Sequence, residues 1–300
     1  MNDIHDIHAM YDSAVRAEAV TVRYGKRLAV DAATLDVPRG SVTALLGRNG
    51  AGKSSLVRCL LGQQKPEAGR VTLFGDDVWH HRARLMNKVG VVSEEADAPP
   101  QMRVDQLAAF CGRLYSQWQP KAVDERLERF GIDRRARFGD LSKGQKKQVM
   151  LALALASSPE LLILDDPTLG LDAVARKSLF EEVIAELADR GITVLLTTHD
   201  LAGVETIADR VAIIRDGKII VDEELELLKA RFRRVRYAQQ PVALAAGAMG
   251  VRNWGSDGAE AIVSDFDGQW PERFRAAEIS PMLLEEIFIA LTGETRGVQS

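Results

Sequence analysis

The sequence predicts an α/β fold built on a largely parallel sheet, and three observations carry that expectation. The run from Ser41 to Gly47, SVTALLG, is apolar at nearly every position and closes on glycine, as a central strand buried on both faces would. Further strand-like runs, LLILDD at 161–166, ITVLLTTH at 192–199 and VAIIRDGKII at 211–220, alternate with helical stretches. Strands separated by helices pair in parallel. Between these groups, DQLAAFCGRLYSQW and KAVDERLERFGI place apolar residues three and four apart, so a helical insertion, about 95–150, interrupts the sheet.

Taken in chain order, residues 1–17 are polar and without a clear period, and read as an extension. The repeat Asp3-Ile4-His5-Asp6-Ile7-His8 lies there, and two histidines in a tail make a weak metal site at best. From Glu18 the runs AEAVTVRYG and LAVDAATLDVPRG, rich in Val, Thr and Leu and closed by glycine, predict strands that form an antiparallel β-subdomain. A helix is expected over Lys53 to Leu61, with Gly62 suited to its C-terminal end. The main domain then runs to Asp222. Beyond it, ELELLKARFRR predicts a short helix leading into a small α+β appendage over 223–300, where Trp254 and Trp270 read as core and PMLLEEIFIALTG as a helix.

Composition narrows the function classes. The 300 residues are 46% apolar and 27% charged, and 39 basic against 43 acidic residues leave a net charge of -4. Nothing in that balance calls for nucleic acid as the main ligand. The best apolar stretch, Val149 to Leu164, is broken by Ser157, Ser158, Pro159 and Glu160, so no membrane span is expected. The first residues carry no basic or apolar leader, so no secretory signal is expected either. Cys59 and Cys111 are the sole cysteines, which fits a reducing compartment and gives no disulfide framework.

Three motifs carry chemistry. Gly47-Arg48-Asn49-Gly50-Ala51-Gly52-Lys53-Ser54, followed by Ser55, satisfies the phosphate-loop pattern, with an apolar strand before it and a helix after it. Its glycines let backbone N–H groups curl around phosphates, Lys53 supplies a point charge to the β and γ oxygens, and Ser54 would hold Mg2+. The helix end adds its own positive field. Second, the strand Leu161–Leu164 ends in two carboxylates, Asp165 to hold the metal shell and Asp166 near the attacking water. Third, Leu141-Ser142-Lys143-Gly144-Gln145 opens a helix whose N-terminal N–H groups are free for an anion, although the same residues also read as a plain helix cap.

In their order and spacing, these motifs resemble those of the nucleotide-binding subunits of ABC transporters, over about Glu18 to Asp222. The resemblance implies a P-loop NTPase sheet of the ABC ATPase type. It adds Tyr24 as an aromatic against adenine, His199 as the switch histidine at the γ-phosphate, and Asp172 in LGLD as a loop aspartate that crosses between subunits. It also implies that two copies, or paired subunits, meet head to tail, each ATP held between the phosphate loop of one and Ser142, Lys143, Gly144 and Gln145 of the other. A separate transmembrane permease would receive the work at the cytoplasmic face of the membrane, docking near Glu94 to Val104 with its Pro99-Pro100 pair. The wording LSKGQ, SEE and LDDPTLGLD looks most like the subgroup serving ABC-2-type exporters.

Two positions depart from the family pattern. Asp166 stands where a glutamate is usual, and Glu94 where a glutamine is usual. A carboxylate at Glu94 would ligate Mg2+ or orient water, and so partly offset the shorter Asp166; a solvated loop charge is the plainer reading. Two other functions stay open at this point, a soluble ATP-dependent clamp with slow hydrolysis and a soluble ABC protein acting on ribosomes or DNA. For the second, the basic cluster Lys229 to Arg234 reads more readily as a solvated helix face.

Overall fold

A computed structural model describes residues 13–95, 97–237, 248–254, 258–266 and 278–293. The chain divides into two compact units. The first takes the chain up to Asp200 together with Arg210–Asp222, and the second takes Leu201–Asp209 together with the chain from Glu223 onward.

In the first unit, β1 (Ser13–Tyr24) and β2 (Arg27–Pro38) form a long antiparallel hairpin with Val15 opposite Val37 and Arg16 opposite Asp36. The strand begins five residues before the expected Glu18. Ser13 Oγ donates to Asp36 Oδ1 at 2.6 Å and Ala14, Val15 and Ala17 are buried, contacts that a polar-looking stretch gives no sign of. After β3 (Val42–Leu46) and helix α1 (Lys53–Leu60), β4 (Ala68–Leu73) pairs with β1, and the two-residue β5 (Asp76–Asp77) pairs with β4. The order is β2-β1-β4-β5. Gly62, at φ +59, follows the cap residue Leu61 and ends α1 in the left-handed conformation.

Helix α2 (Val78–Met86) starts on Asp77, whose carboxylate accepts from His80 N–H at 2.9 Å. It leads to β6 (Val89–Val92). The insertion holds α3 (Val104–Cys111), α4 (Pro120–Arg129, with proline at its first position) and α5 (Lys143–Ala156). Val104, Leu107, Val123, Leu127, Phe138, Val149 and Leu153 pack into a core of their own, as the three-and-four spacing predicts.

The remaining strands complete the parallel sheet. β7 (Leu161–Asp165), helix α6 (Ala173–Arg190) and β8 (Thr193–Thr198) precede helix α7 (Leu201–Ile207), β9 (Arg210–Arg215) and β10 (Lys218–Glu224). The order is β10-β9-β3-β8-β7-β6, with β3 parallel to β8 and β9, and β7 parallel to β8 and β6. Every residue of β3 and β8 is buried. In register, Asp165 lies opposite Thr197 and Leu46 opposite Thr198, so the strands finish together on one edge. That edge is where ligands gather in parallel sheets.

In the second unit, helix α8 (Leu225–Arg231) is followed by a four-stranded antiparallel sheet of β11 (Arg233–Tyr237), β12 (Ala248–Trp254), β13 (Gly258–Val263) and β14 (Glu278–Pro281), in the order β12-β13-β11-β14. Helix α9 (Leu284–Thr292) closes the described chain. The helix expected to run to Arg234 stops at Arg231, because Phe232 is fully buried and Arg233 pairs with Val263. The basic cluster is therefore no solvated helix face. Lys229 pairs with Glu205 at 2.7 Å, Arg231 with Glu223, and Arg234 with both Glu260 and Glu286.

The Asp3–His8 repeat and Trp270 lie outside the described residues, as does the side chain of Trp254. Cys59 is buried and Cys111 half-buried, both as free thiols. Among the described residues no helix is long and apolar enough to cross a membrane.

Candidate nucleotide-binding site

The site starts where β3 ends. Gly47 to Gly52 turn the chain back over the sheet edge, and Ala51 N–H closes the turn on the Arg48 carbonyl at 3.1 Å. Gly52 has φ +116, and a Cβ there would stand 2.5 Å from the Ala29 carbonyl oxygen, so both conformation and space demand glycine. Gly52 caps α1 without a side-chain bond, which leaves the first N–H groups of the helix for a ligand.

Lys53 follows at 8% exposure. Its ammonium donates to the Gly47 carbonyl at 2.6 Å and reaches the Arg48 carbonyl at 3.4 Å. Burial holds its pKa below the ordinary lysine value, opposed by the charges of Asp166, Asp165 and Glu94. These groups share one cavity of about 370 Å³. Its walls are Asn49, Gly50, Gly52, Lys53, Ser54 and Ser55 from the loop and helix, Tyr24, Arg27 and Ala29 from the hairpin, and Glu94, Asp165 and Asp166 from the strand ends.

Tyr24 stands 43% exposed at the cavity's edge, its hydroxyl donating to Gln64 Oε1 at 2.5 Å. Hydrogen bonding with Ser55 first, then with Arg58 and Gln64, lowers the pKa of its phenol against the effect of burial. Arg27, which the sequence reading passed over, donates from Nη2 to the Gly50 carbonyl at 3.3 Å. No local pattern marks it, because its approach to the loop depends on how the hairpin folds across.

The carboxylate end is built by β7 and β8. Asp165 Oδ1 accepts from Thr197 Oγ1 at 2.5 Å. Asp166 lies at φ +46, the left-handed region, and its N–H donates to the Thr197 carbonyl at 2.9 Å and to Thr197 Oγ1 at 3.1 Å. Its own carbonyl accepts from Lys147 Nζ at 2.8 Å. His199 Nδ1 stands 3.1 Å from Asp166 Oδ2 and 3.0 Å from the buried Oδ1, so the ring bridges both carboxylate oxygens. The His199 side chain is 55% exposed. Glu94, just beyond β6, is exposed on the same cavity.

Ser142, Lys143, Gly144, Gln145 and Asp172 are not among the groups lining this cavity. Ser142 caps α5 in a reciprocal box, its Oγ accepting from Gln145 N–H at 3.2 Å while Gln145 Oε1 accepts from Ser142 N–H at 3.0 Å. Asp172 caps α6, accepting from Ala175 N–H at 2.8 Å. At Gly144 an added Cβ would meet Ala175 Cβ and Leu171 Cδ2 at 3.6 Å, ordinary contacts. Among the described residues nothing requires glycine there.

Comparison with known proteins follows the same lines. The family model described as "ABC transporter" matches residues 30–169. The bacitracin transport ATP-binding protein of Bacillus licheniformis is 31% identical over 222 residues, spanning 73% of this chain and 72% of that protein. A daunorubicin resistance ATP-binding protein of Streptomyces coeruleorubidus is 35% identical, over 74% and 71% respectively. A Nod factor export ATP-binding protein of Neorhizobium galegae is 38% identical over 70% of this chain and 61% of its own. Among solved structures, the cbiO1 protein of Clostridium perfringens, part of the cbiONQ ABC transporter complex, superposes with a TM-score of 0.64 at 30% identity, covering 73% of this chain and 91% of that one.

Proposed function

This chain belongs to the ABC transporter family as one of its ATP-binding, ATP-hydrolysing subunits, and from that premise we propose how its residues divide the work. Tyr24 lies against the adenine, the loop Gly47–Ser55 wraps the phosphates, and Lys53 exchanges its two carbonyl partners for β and γ oxygens. Asp166 orients the attacking water, with His199 holding both that carboxylate and the γ-phosphate. Ser142, Lys143, Gly144 and Gln145 serve the nucleotide of a second subunit, and Asp172 crosses to it. The observation that carries this reading is the single cavity in which Lys53, Ser54, Glu94, Asp165 and Asp166 converge.

The same cavity suits Mg2+. Ser54, Asp165 and Glu94 offer hard oxygen donors that face the cavity together. Among the described residues no cluster of three or more His, Cys, Asp or Glu could hold a metal unaided. This matches an ion that binds through one or two carboxylates together with phosphate and water. When bound, the ion would neutralise charge on the phosphates.

The permease is a separate membrane-spanning chain, met at its cytoplasmic face by the segment from Glu94 to Val104 of this one. The transport, resistance and export proteins among the relatives support the ABC-2 exporter subgroup. Paired subunits make a direct prediction. ATPase activity per chain rises with protein concentration, and Ser142→Arg abolishes it while each chain still binds ATP. Activity independent of concentration would sink the paired arrangement. The clamp reading draws on Asp166, whose carboxylate is one methylene shorter than the family's glutamate. ATP-driven dimers that form without releasing phosphate would establish the clamp over the motor.

A further inference from the structure

Lys147 has no part in the scheme above. It is 4% exposed, and a lysine is almost never buried without partners. Its ammonium donates to the Asp166 carbonyl at 2.8 Å, and Asp166, Glu94 and Asp165 are the charges that offset the cost of burying it. The helix that carries it, α5, begins at the Ser142 cap. Lys147 lies five positions beyond Ser142, about 7.5 Å along the axis at roughly 1.5 Å per residue. One helix therefore has the signature turn at its tip and a buried cation at the carboxylate end of β7.

Asp166 is held at three points. Its N–H is fixed by Thr197 and its carboxylate by His199, both from β8 and its end, whereas its carbonyl is fixed by Lys147 from α5. A non-glycine residue at φ +46 persists where the surroundings over-determine it. Loss of one hold lets the peptide relax, and about 1 Å at a reacting carboxylate is enough to lower a rate by roughly 10²-fold.

We propose that Lys147 is a positioning residue that ties Asp166 of one nucleotide site to the signature turn serving the other site, so that a triphosphate received at Ser142 resets the carboxylate in the opposite half of the dimer. This rests on the two-ATP dimer proposed above. A phosphate arriving at Ser142 competes with the Gln145 side-chain oxygen for the serine N–H, which the cap engages at 3.0 Å. Any shift of α5 that follows is passed to the Asp166 carbonyl through the lysine.

The test compares the full-length chain with Lys147→Met and Lys147→Arg. ATPase kinetics supply kcat, KM and the Hill coefficient, and hydrogen exchange with ATPγS and Mg2+ follows residues 166–171 and 47–54. In Lys147→Met, kcat is expected to fall at least about tenfold with KM within about threefold of wild type, and the Hill coefficient to drop toward 1. Nucleotide protection is expected to vanish at 166–171 while it persists at 47–54, and Lys147→Arg is expected to recover part of each signal. If Lys147→Met fails to fold, Lys147→Gln, which keeps an N–H donor, carries the same comparison. Unchanged kcat and Hill coefficient would overturn the proposal, and so would equal losses of kcat, nucleotide affinity and Tm, the mark of a merely structural lysine. A wild-type chain that stays monomeric with ATPγS would instead overturn the dimer reading, and this inference with it.

Discussion

Two glycines of the candidate site are glycine for opposite reasons, and the difference is measurable. Gly52 is required by its own fold, with φ +116 and the Ala29 carbonyl 2.5 Å from any Cβ. Gly52→Ala is expected to destabilise the chain by about 1 to 3 kcal/mol, read from urea denaturation, and to weaken ATP binding with it. Gly144 has ordinary room, so Gly144→Ala is expected to leave Tm within about 2 °C of wild type while lowering ATPase activity, since its constraint would come from the nucleotide of a second subunit. At the two departures from the family pattern, Asp166→Glu is expected to raise kcat, Glu94→Gln to lower it, and the double variant to show less loss from Glu94→Gln than the single. Strictly additive effects would rule out compensation. Cys59, whose thiol is pushed to about 11 by burial, is expected to resist iodoacetamide at pH 8 after Cys111 has reacted, as peptide mapping would show. The glycines, Lys53 and both aspartates were legible in the sequence because a local pattern demands them. Arg27 and Lys147 were not, since each is defined by a carbonyl 23 or 19 residues away.

At the scale of elements, apolar period located most helices and the central strands, while their exact ends followed tertiary contacts. β1 starts at Ser13 because Asp36 waits across the hairpin, and α8 ends at Arg231 because Phe232 turns into a core. Charges spaced far apart in sequence were equally silent. Arg126 of α4, 7% exposed, pairs with Glu182 at 3.2 Å and with Glu186, and Arg129 reaches Glu182 at 2.9 Å, joining the helical insertion to α6. Burial holds the Arg126 pKa below the ordinary guanidinium value, with Glu182 opposing the shift and the like charges of Arg129 and Arg190 adding to it. Arg126→Ala leaves Glu182 to Arg129 alone and Glu186 to Arg190 at 3.2 Å, and is expected to cost about 3 kcal/mol in urea denaturation. Replacing Arg126, Glu182 and Glu186 together by apolar residues of similar volume is expected to recover most of that loss.

For the molecule as a whole, the sequence placed a texture change at Asp222, whereas the second unit also draws in Leu201–Asp209. The reason is again tertiary: Glu205 of α7 binds Lys229 and lies 3.4 Å from the Leu284 N–H at the start of α9, while Leu201 and Val204 are buried. A chain ending at Asp222 is thus expected to aggregate or to melt several degrees lower than the full chain, with α7 the first segment to exchange its amides. A composition shift marks where a linker runs in sequence; it cannot mark a helix lent from upstream.

Lys53 has a further consequence, for time rather than for binding strength. Its ammonium rests on the Gly47 and Arg48 carbonyls, so the turn is braced from within by its own lysine. Arrival of a triphosphate replaces one set of oxygens by another and rebuilds little backbone. Nucleotide capture is then governed by encounter, and differences among ATP, ADP and their analogues appear in how long each one stays.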